Sequence, residues 1–210
     1  MLRFSGLLPI CVPCELEKPG RAMPESLRGH CLIAAKRLRD PNFYKTVVLM
    51  VEHGTDGAMG LVINRPSSVT VAHALSEHFK LPETDDLVYV GGPVEPSALF
   101  ILHNSSELDR KESPLIPGVF VGSSADVFEE IVRSSAEGNP DLQFRIYSGC
   151  AGWAPEQLEG EIARGDWHSI PAEMHAIFGE DPYTVWDHMI SKVYESNRIL
   201  PQPTGNPEWN

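Results

Sequence analysis

Two nearly continuous apolar runs, TVVLMVE at 46–52 and AMGLVIN at 58–64, flank the segment HGTDG. Asp56-Gly57 supplies the φ > 0 geometry of a tight connection, so the pair predicts a β-hairpin with a longer loop. Neither run alternates polar with apolar residues, so both faces of these strands need cover. That requirement places layers on either side of a sheet. At 210 residues the chain is long enough to bury such a core without disulfide or metal staples.

The flanking segments supply those layers. Thr70 can cap a helix reaching about Phe79, with Val71, Leu75 and Phe79 along one side. Strands are predicted at about 87–90 and 98–103. VFVG at 119–122 reads as a strand, and Ser123 or Ser124 caps a helix with Val127, Phe128, Ile131 and Val132 on its apolar face. Asp126, Glu129 and Glu130 complement the positive end of that helix, and Gly138 with Pro140 stops it. QFRIYSG at 143–149 predicts a further strand, residues 155–164 a short helix ended by Gly165, and WHSIP at 167–171 an edge strand. Asp181-Pro182 opens a last helix with Val185, Trp186, Met189, Ile190, Val193 and Tyr194 in one stripe. About six or seven strands with four or five helices indicate an α/β or α+β body, and the hairpin and irregular order weigh against a regular doubly wound sheet, which favours α+β. The expected architecture is a single compact domain with a mixed, mostly antiparallel β-sheet and flanking helices.

Residues 1–25 are rich in proline without sustained periodicity and read as a disordered leader. Met23 offers an alternative start. The expected organisation is therefore leader 1–25, domain 26–200 and flexible tail 201–210. The leader lacks a signal-peptide cleavage pattern, and no apolar run approaches the ~20 residues of a membrane span. With four cysteines and no disulfide framework, the expected location is cytoplasmic, without membrane attachment. Seventeen Lys and Arg against 29 Asp and Glu give a net charge of −12, which argues against direct DNA binding. A patch of Lys36, Arg37, Arg39 and Lys45 with Arg65 would soften that conclusion.

Chemistry-bearing motifs are sparse. Cys11-x-x-Cys14 lies between prolines and has no second close pair to make a zinc ribbon. His73 and Glu77 share a helix face, whereas His73 and His78 diverge by about 140° and cannot chelate together. No metal or cofactor is expected. Gly91-Gly92-Pro93 matches neither phosphate-loop nor dinucleotide patterns and reads as a tight turn. Ser148-Gly149-Cys150 ends the predicted strand but lacks a recognised nucleophile signature, so Cys150 reads as a small buried apolar residue. Glu156, Glu159 and Glu161 read as a solvated acidic face.

Four segments in order carry a resemblance. They are Gly29–Ala34 with Asp40-Pro41-Asn42-Phe43; Glu52-His53 with Gly57–Pro66; Gly91-Gly92-Pro93-Val94 with Leu102-His103; and Ala151-Gly152-Trp153 with Gln157-Leu158-Glu159. Over about 27–200 the chain resembles the AlgH/YqgE family of bacterial proteins, commonly labelled uncharacterised or as candidate transcriptional regulators. The family usually has Tyr where this chain has Cys150, which removes a hydroxyl from any ligand role there. The resemblance implies a mixed sheet with flanking helices and no agreed reaction. It selects His53, Asn64, Arg65, His103, Trp153, Gln157 and Glu159 as ligand-binding candidates. Arg65 can clamp an anionic ligand with Trp153 as a wall, or pair with Glu159 to lock two elements. The expected function is a regulatory or binding protein with an unknown protein or small-molecule partner, leaning away from catalysis. Two alternatives stand beside it: a small-molecule enzyme using Arg65, His103 and Glu159, and a protein-interaction module.

Overall fold

The computed structural model describes residues 26–76, 85–108, 113–122 and 124–196. Cys11, Cys14, Glu77, His78, Phe79, Ser123 and the two expected terminal segments lie outside these residues. The described strands are β1 (His30–Ala34), β2 (Val47–Gly54), β3 (Gly57–Val62), β4 (Pro66–Thr70), β5 (Leu87–Val90), β6 (Val94–His103), β7 (Phe120–Val121), β8 (Phe144–Trp153) and β9 (Trp167–Pro171). The helices are α1 (Val71–Ala74), α2 (Ala125–Ala136), α3 (Gln157–Ala163), α4 (Met174–Phe178) and α5 (Val185–Ser196). This is the α+β fold expected, with one sheet ordered β4-β5-β8-β3-β2-β1-β9 and β6 and β7 branching from β8. The only parallel pair among the described residues is β5 with β8; the other pairings are antiparallel.

The β2–β3 hairpin forms as the sequence predicts, with Gly54 opposite Gly57, and Val47–Val51 buried in an unbroken row. Ser124 caps α2 by accepting the Val127 N–H, and Gly138 follows the helix at φ +79°. Thr70 caps α1 in the same way. Along α5, Val185, Trp186, Met189, Ile190 and Val193 are buried, whereas Tyr194 stays exposed.

Several predictions need correction. Nine strands form among the described residues rather than six or seven: Pro66–Thr70 pairs with β5 despite its polar surface, and His30–Ala34, which the periodicity does not single out, pairs with β2 and β9, while the strand expected at 119–122 shortens to Phe120–Val121. The short α4 carries too few residues to show a helical period. Most consequential, β8 does not stop at Gly149. That residue takes φ +71°, a local irregularity, and the strand runs on to Trp153.

β8 thereby organises the molecule. Its first half lies between β5 and β6, and its second half pairs Ala151–Trp153 with β3. Where the halves meet, Gly91 and Gly92 cross directly over Gly149–Ala151, and a Cβ on Gly92 would overlap the Cys150 carbonyl group. The glycine pair is therefore a close backbone crossing, not merely a tight turn. Side chains alternate across β8 as its period of two requires. Ile146 joins a cluster with Ile131 and Val132 of α2, while Tyr147 enters the larger core that includes β1, β2 and α5.

Candidate functional site

The residues selected by resemblance fall into three separate settings. In the first, the β3–β4 link fastens the β1–β2 connection. Asn64 Oδ1 accepts the Val47 N–H at 2.9 Å, and its Nδ2 donates at 3.0 Å to the carbonyl of Lys45, a residue held at φ +55°. Arg65 Nη2 donates to both Pro41 O at 3.1 Å and Tyr44 O at 3.2 Å. Burial lowers the Arg65 pKa, opposed by nearby Asp40. The Arg65–Glu159 pair considered from sequence does not form, because both side chains are occupied elsewhere.

The second setting is the corner where β8 meets α3. His53 Nδ1 accepts the Leu27 N–H at 3.2 Å, so a neutral ring carries its proton on Nε2. Nε2 approaches Glu159 Oε1 to 3.0 Å, an ion-pair distance without the alignment of a hydrogen bond. Next to it stands Glu161, expected from the sequence on a solvated acidic face. Glu161 Oε2 accepts from Trp153 Nε1 at 2.9 Å and Trp167 Nε1 at 2.8 Å, while Oε1 accepts from Gln157 Nε2 at 3.0 Å. Phe43 completes an aromatic cluster, stacked on Trp153 at 6.1 Å and edge-on to Trp167 at 5.5 Å. Gln157 Oε1 also receives the Ala154 N–H at the start of α3. Glu161 is therefore half-buried and inward-facing rather than part of a solvated acidic face. Two tryptophans requiring acceptors, and a Gln and Glu four apart on one helix face, were the signals for it.

His103 stands in the third setting. It is fully buried on β6, stacked on Phe120 with ring centroids 5.6 Å apart. Arg65, His103 and Glu159 thus have different neighbours and different surroundings. Cys31 is buried in the core, and burial, with Glu173 and Glu180 contributing, pushes its thiol pKa up to about 12. Cys150 is also buried, and its pKa is raised by burial and Glu95.

An open cleft of about 450 Å³ lies at the end of the β5–β8 pair, lined by Asp85, Asp86, Tyr89, Gln143, Arg145 and Phe178 among others. The Arg145 guanidinium lies 4.7 Å from the Tyr89 ring centroid, and Nη1 donates to Ile63 O at 3.3 Å. Stacking and the carbonyl bond orient the cation. Burial raises the Tyr89 pKa against the opposing pull of Arg145. The cleft presents a fixed cation, two carboxylates and an aromatic wall, a set able to orient a polar ligand. Sequence periodicity identified β8 but could not show that Arg145 meets Tyr89, because that meeting depends on the parallel register.

Among the described residues no three or more His, Cys, Asp or Glu side chains gather as a metal site, and no helix is long and apolar enough to cross a membrane. The AlgH-like family model (DUF179) matches residues 31–196. A UPF0301 protein of Myxococcus xanthus is 40% identical over 166 residues, covering 78% of this chain and 88% of that protein. One from Methylococcus capsulatus is 36% identical, covering 80% and 94% respectively. The solution structure of AlgH from Pseudomonas aeruginosa matches with a TM-score of 0.63 at 29% identity, covering 87% of this chain and 99% of that one. The sheet with its flanking helices and the sequence match over 31–196 agree: the chain belongs to the AlgH-like family.

Proposed function

We propose that this chain is a binding protein of regulatory type, whose output is ligand occupancy rather than turnover, and that its ligand enters the Arg145 cleft. One observation carries the first part. Four of the polar side chains that the family resemblance selects are engaged in fastening backbone: Asn64 and Arg65 hold the β1–β2 connection, Gln157 the start of α3, and His53 the Leu27 amide. Groups used in this way are poor carriers of proton transfer, because moving them disrupts the elements they join. The cleft supports the second part by offering both charge signs beside an aromatic face. A small polar molecule with an anionic group for Arg145 and a donor for Asp85 or Asp86 fits that chemistry.

Ligand-observed proton NMR tests this reading. The purified full chain is added to a small-molecule extract of bacterial cells. The expected result is selective broadening of a few resonances, lost in Arg145→Gln, with no new resonances over hours. New signals that grow with time and protein concentration would reveal turnover and overturn the proposal. Broadening unchanged in Arg145→Gln would move the ligand away from this cleft.

A further inference from the structure

Independently of the Arg145 cleft, the outer face of α5 presents two flanks of opposite charge. At about 100° per residue, Asp187 and Tyr194 fall on one flank, His188, Lys192 and Glu195 on the other, and Ser191 on the crest between them. All six residues are exposed. Along the first flank runs the β1–β2 connection, with Lys45 Nζ 4.0 Å from Asp187 Oδ1 and 4.9 Å from the Trp186 ring, and Lys36 Nζ 4.8 Å from the Tyr194 ring. The same connection exposes Arg37 and Arg39, and Arg37 shares Asp166 with Arg164 at 3.6 and 3.0 Å. Cations outnumber carboxylates on this flank, in a chain whose net charge is −12.

The opposite flank is a cleft of about 330 Å³ between α5, α4 and β9. Ile170, Ala176 and Met189 give it apolar lining, and Glu173, Glu180 and Glu195 line it as well. The groups facing those carboxylates are Lys192, 3.7 Å from Glu173, and His188, 3.3 Å from Glu180. Carboxylates are in excess here. An apolar lining with acidic groups suits an arginine or lysine, whose alkyl stem covers the apolar surface while its head meets the carboxylates.

We propose that α5 is the centre of a homodimer in which each basic β1–β2 connection lies over the acidic cleft of the partner. Both halves of the complementary pair are present on one chain, so a second copy satisfies each of them twice, as an isologous contact requires. The charge arrangement also selects the symmetry. For two copies meeting face to face, a two-fold axis parallel to α5 sets each basic flank against the partner's acidic flank. A two-fold across α5 in the interface plane would set like against like. The helices therefore meet in parallel, with Ser191 giving room at the crest. Screening over about 8 Å at physiological salt removes most of the long-range repulsion between two acidic chains and leaves these adjacent charges in control.

Sedimentation velocity of the full chain over a concentration series provides the test. The expected result is a monomer–dimer equilibrium whose dissociation constant rises with added sodium chloride. Arg39→Glu and Glu195→Lys, both exposed positions, should each weaken the dimer by about tenfold or more, because each sets like charges together. An equimolar mixture of the two variants should dimerise again, since each chain then faces a partner of opposite charge in both halves of the interface. Melting temperatures matching the parent chain show that both variants remain folded. A parent chain that is monomeric throughout, single variants that dimerise like the parent, or a folded mixture that stays monomeric would each overturn the proposal.

Discussion

Glu161 shows how one side chain joins three elements without any motif. Its carboxylate receives two indole N–H groups, from Trp153 on β8 and Trp167 on β9, while sitting on α3. Both indoles are buried, so removing the acceptor leaves donors that water cannot easily reach. Glu161→Ala should cost about 3 kcal/mol in urea unfolding, and Glu161→Gln, which keeps one acceptor oxygen, about 1 kcal/mol. Equal losses from the two substitutions would mean that the acceptor is not what matters. Arg65 carries the same lesson in reverse. A guanidinium suits an anion, yet here it serves two backbone carbonyls, because the turn it holds leaves those acceptors without a strand partner. Residue type shows hydrogen-bonding capacity; the partner is set by which chain segments the fold brings alongside.

The elements that were legible in sequence are those whose signals are local. Ser124 and Gly138 bracket α2, Asp56-Gly57 turns the β2–β3 hairpin, and the stripe of α5 follows its own helical period. The extension of β8 through Gly149 was not legible, since a glycine with φ > 0 normally marks an end. It is tolerated because Gly91 and Gly92 cross at that point and occupy the space a side chain would need. Gly92→Ala should therefore be among the most damaging single substitutions, with a loss of about 4 kcal/mol or more in chemical denaturation, or no folded protein. A variant with parental stability would show that the crossing is looser than these contacts require. Edge strand β4 escaped notice for a related reason, its polar residues reflecting exposure rather than any local preference against pairing.

Over the whole molecule, the last helix closes on the first strand. Trp186 Nε1 donates to Ala34 O at 2.9 Å across 152 positions of sequence, and the indole is buried. Trp186→Phe keeps most of the apolar contact but removes the donor, so it should cost about 1 kcal/mol. Hydrogen exchange should quicken along α5 more than in the β2–β3 hairpin, because local openings follow the bonds that are lost. Uniform acceleration across both would instead indicate that α5 opens only with the whole domain. The sequence alone determined the amphipathic elements, the need for cover on both faces of β2 and β3, and the α+β class, since each follows from the apolar pattern within a short window. Only the tertiary structure decided that β8 bridges two halves of the sheet, that Glu161 faces two indoles, that Arg145 stacks on Tyr89, and that α5 separates positive from negative surface. Those outcomes depend on register and crossing, which bring together residues far apart in the chain through contacts that no local window contains.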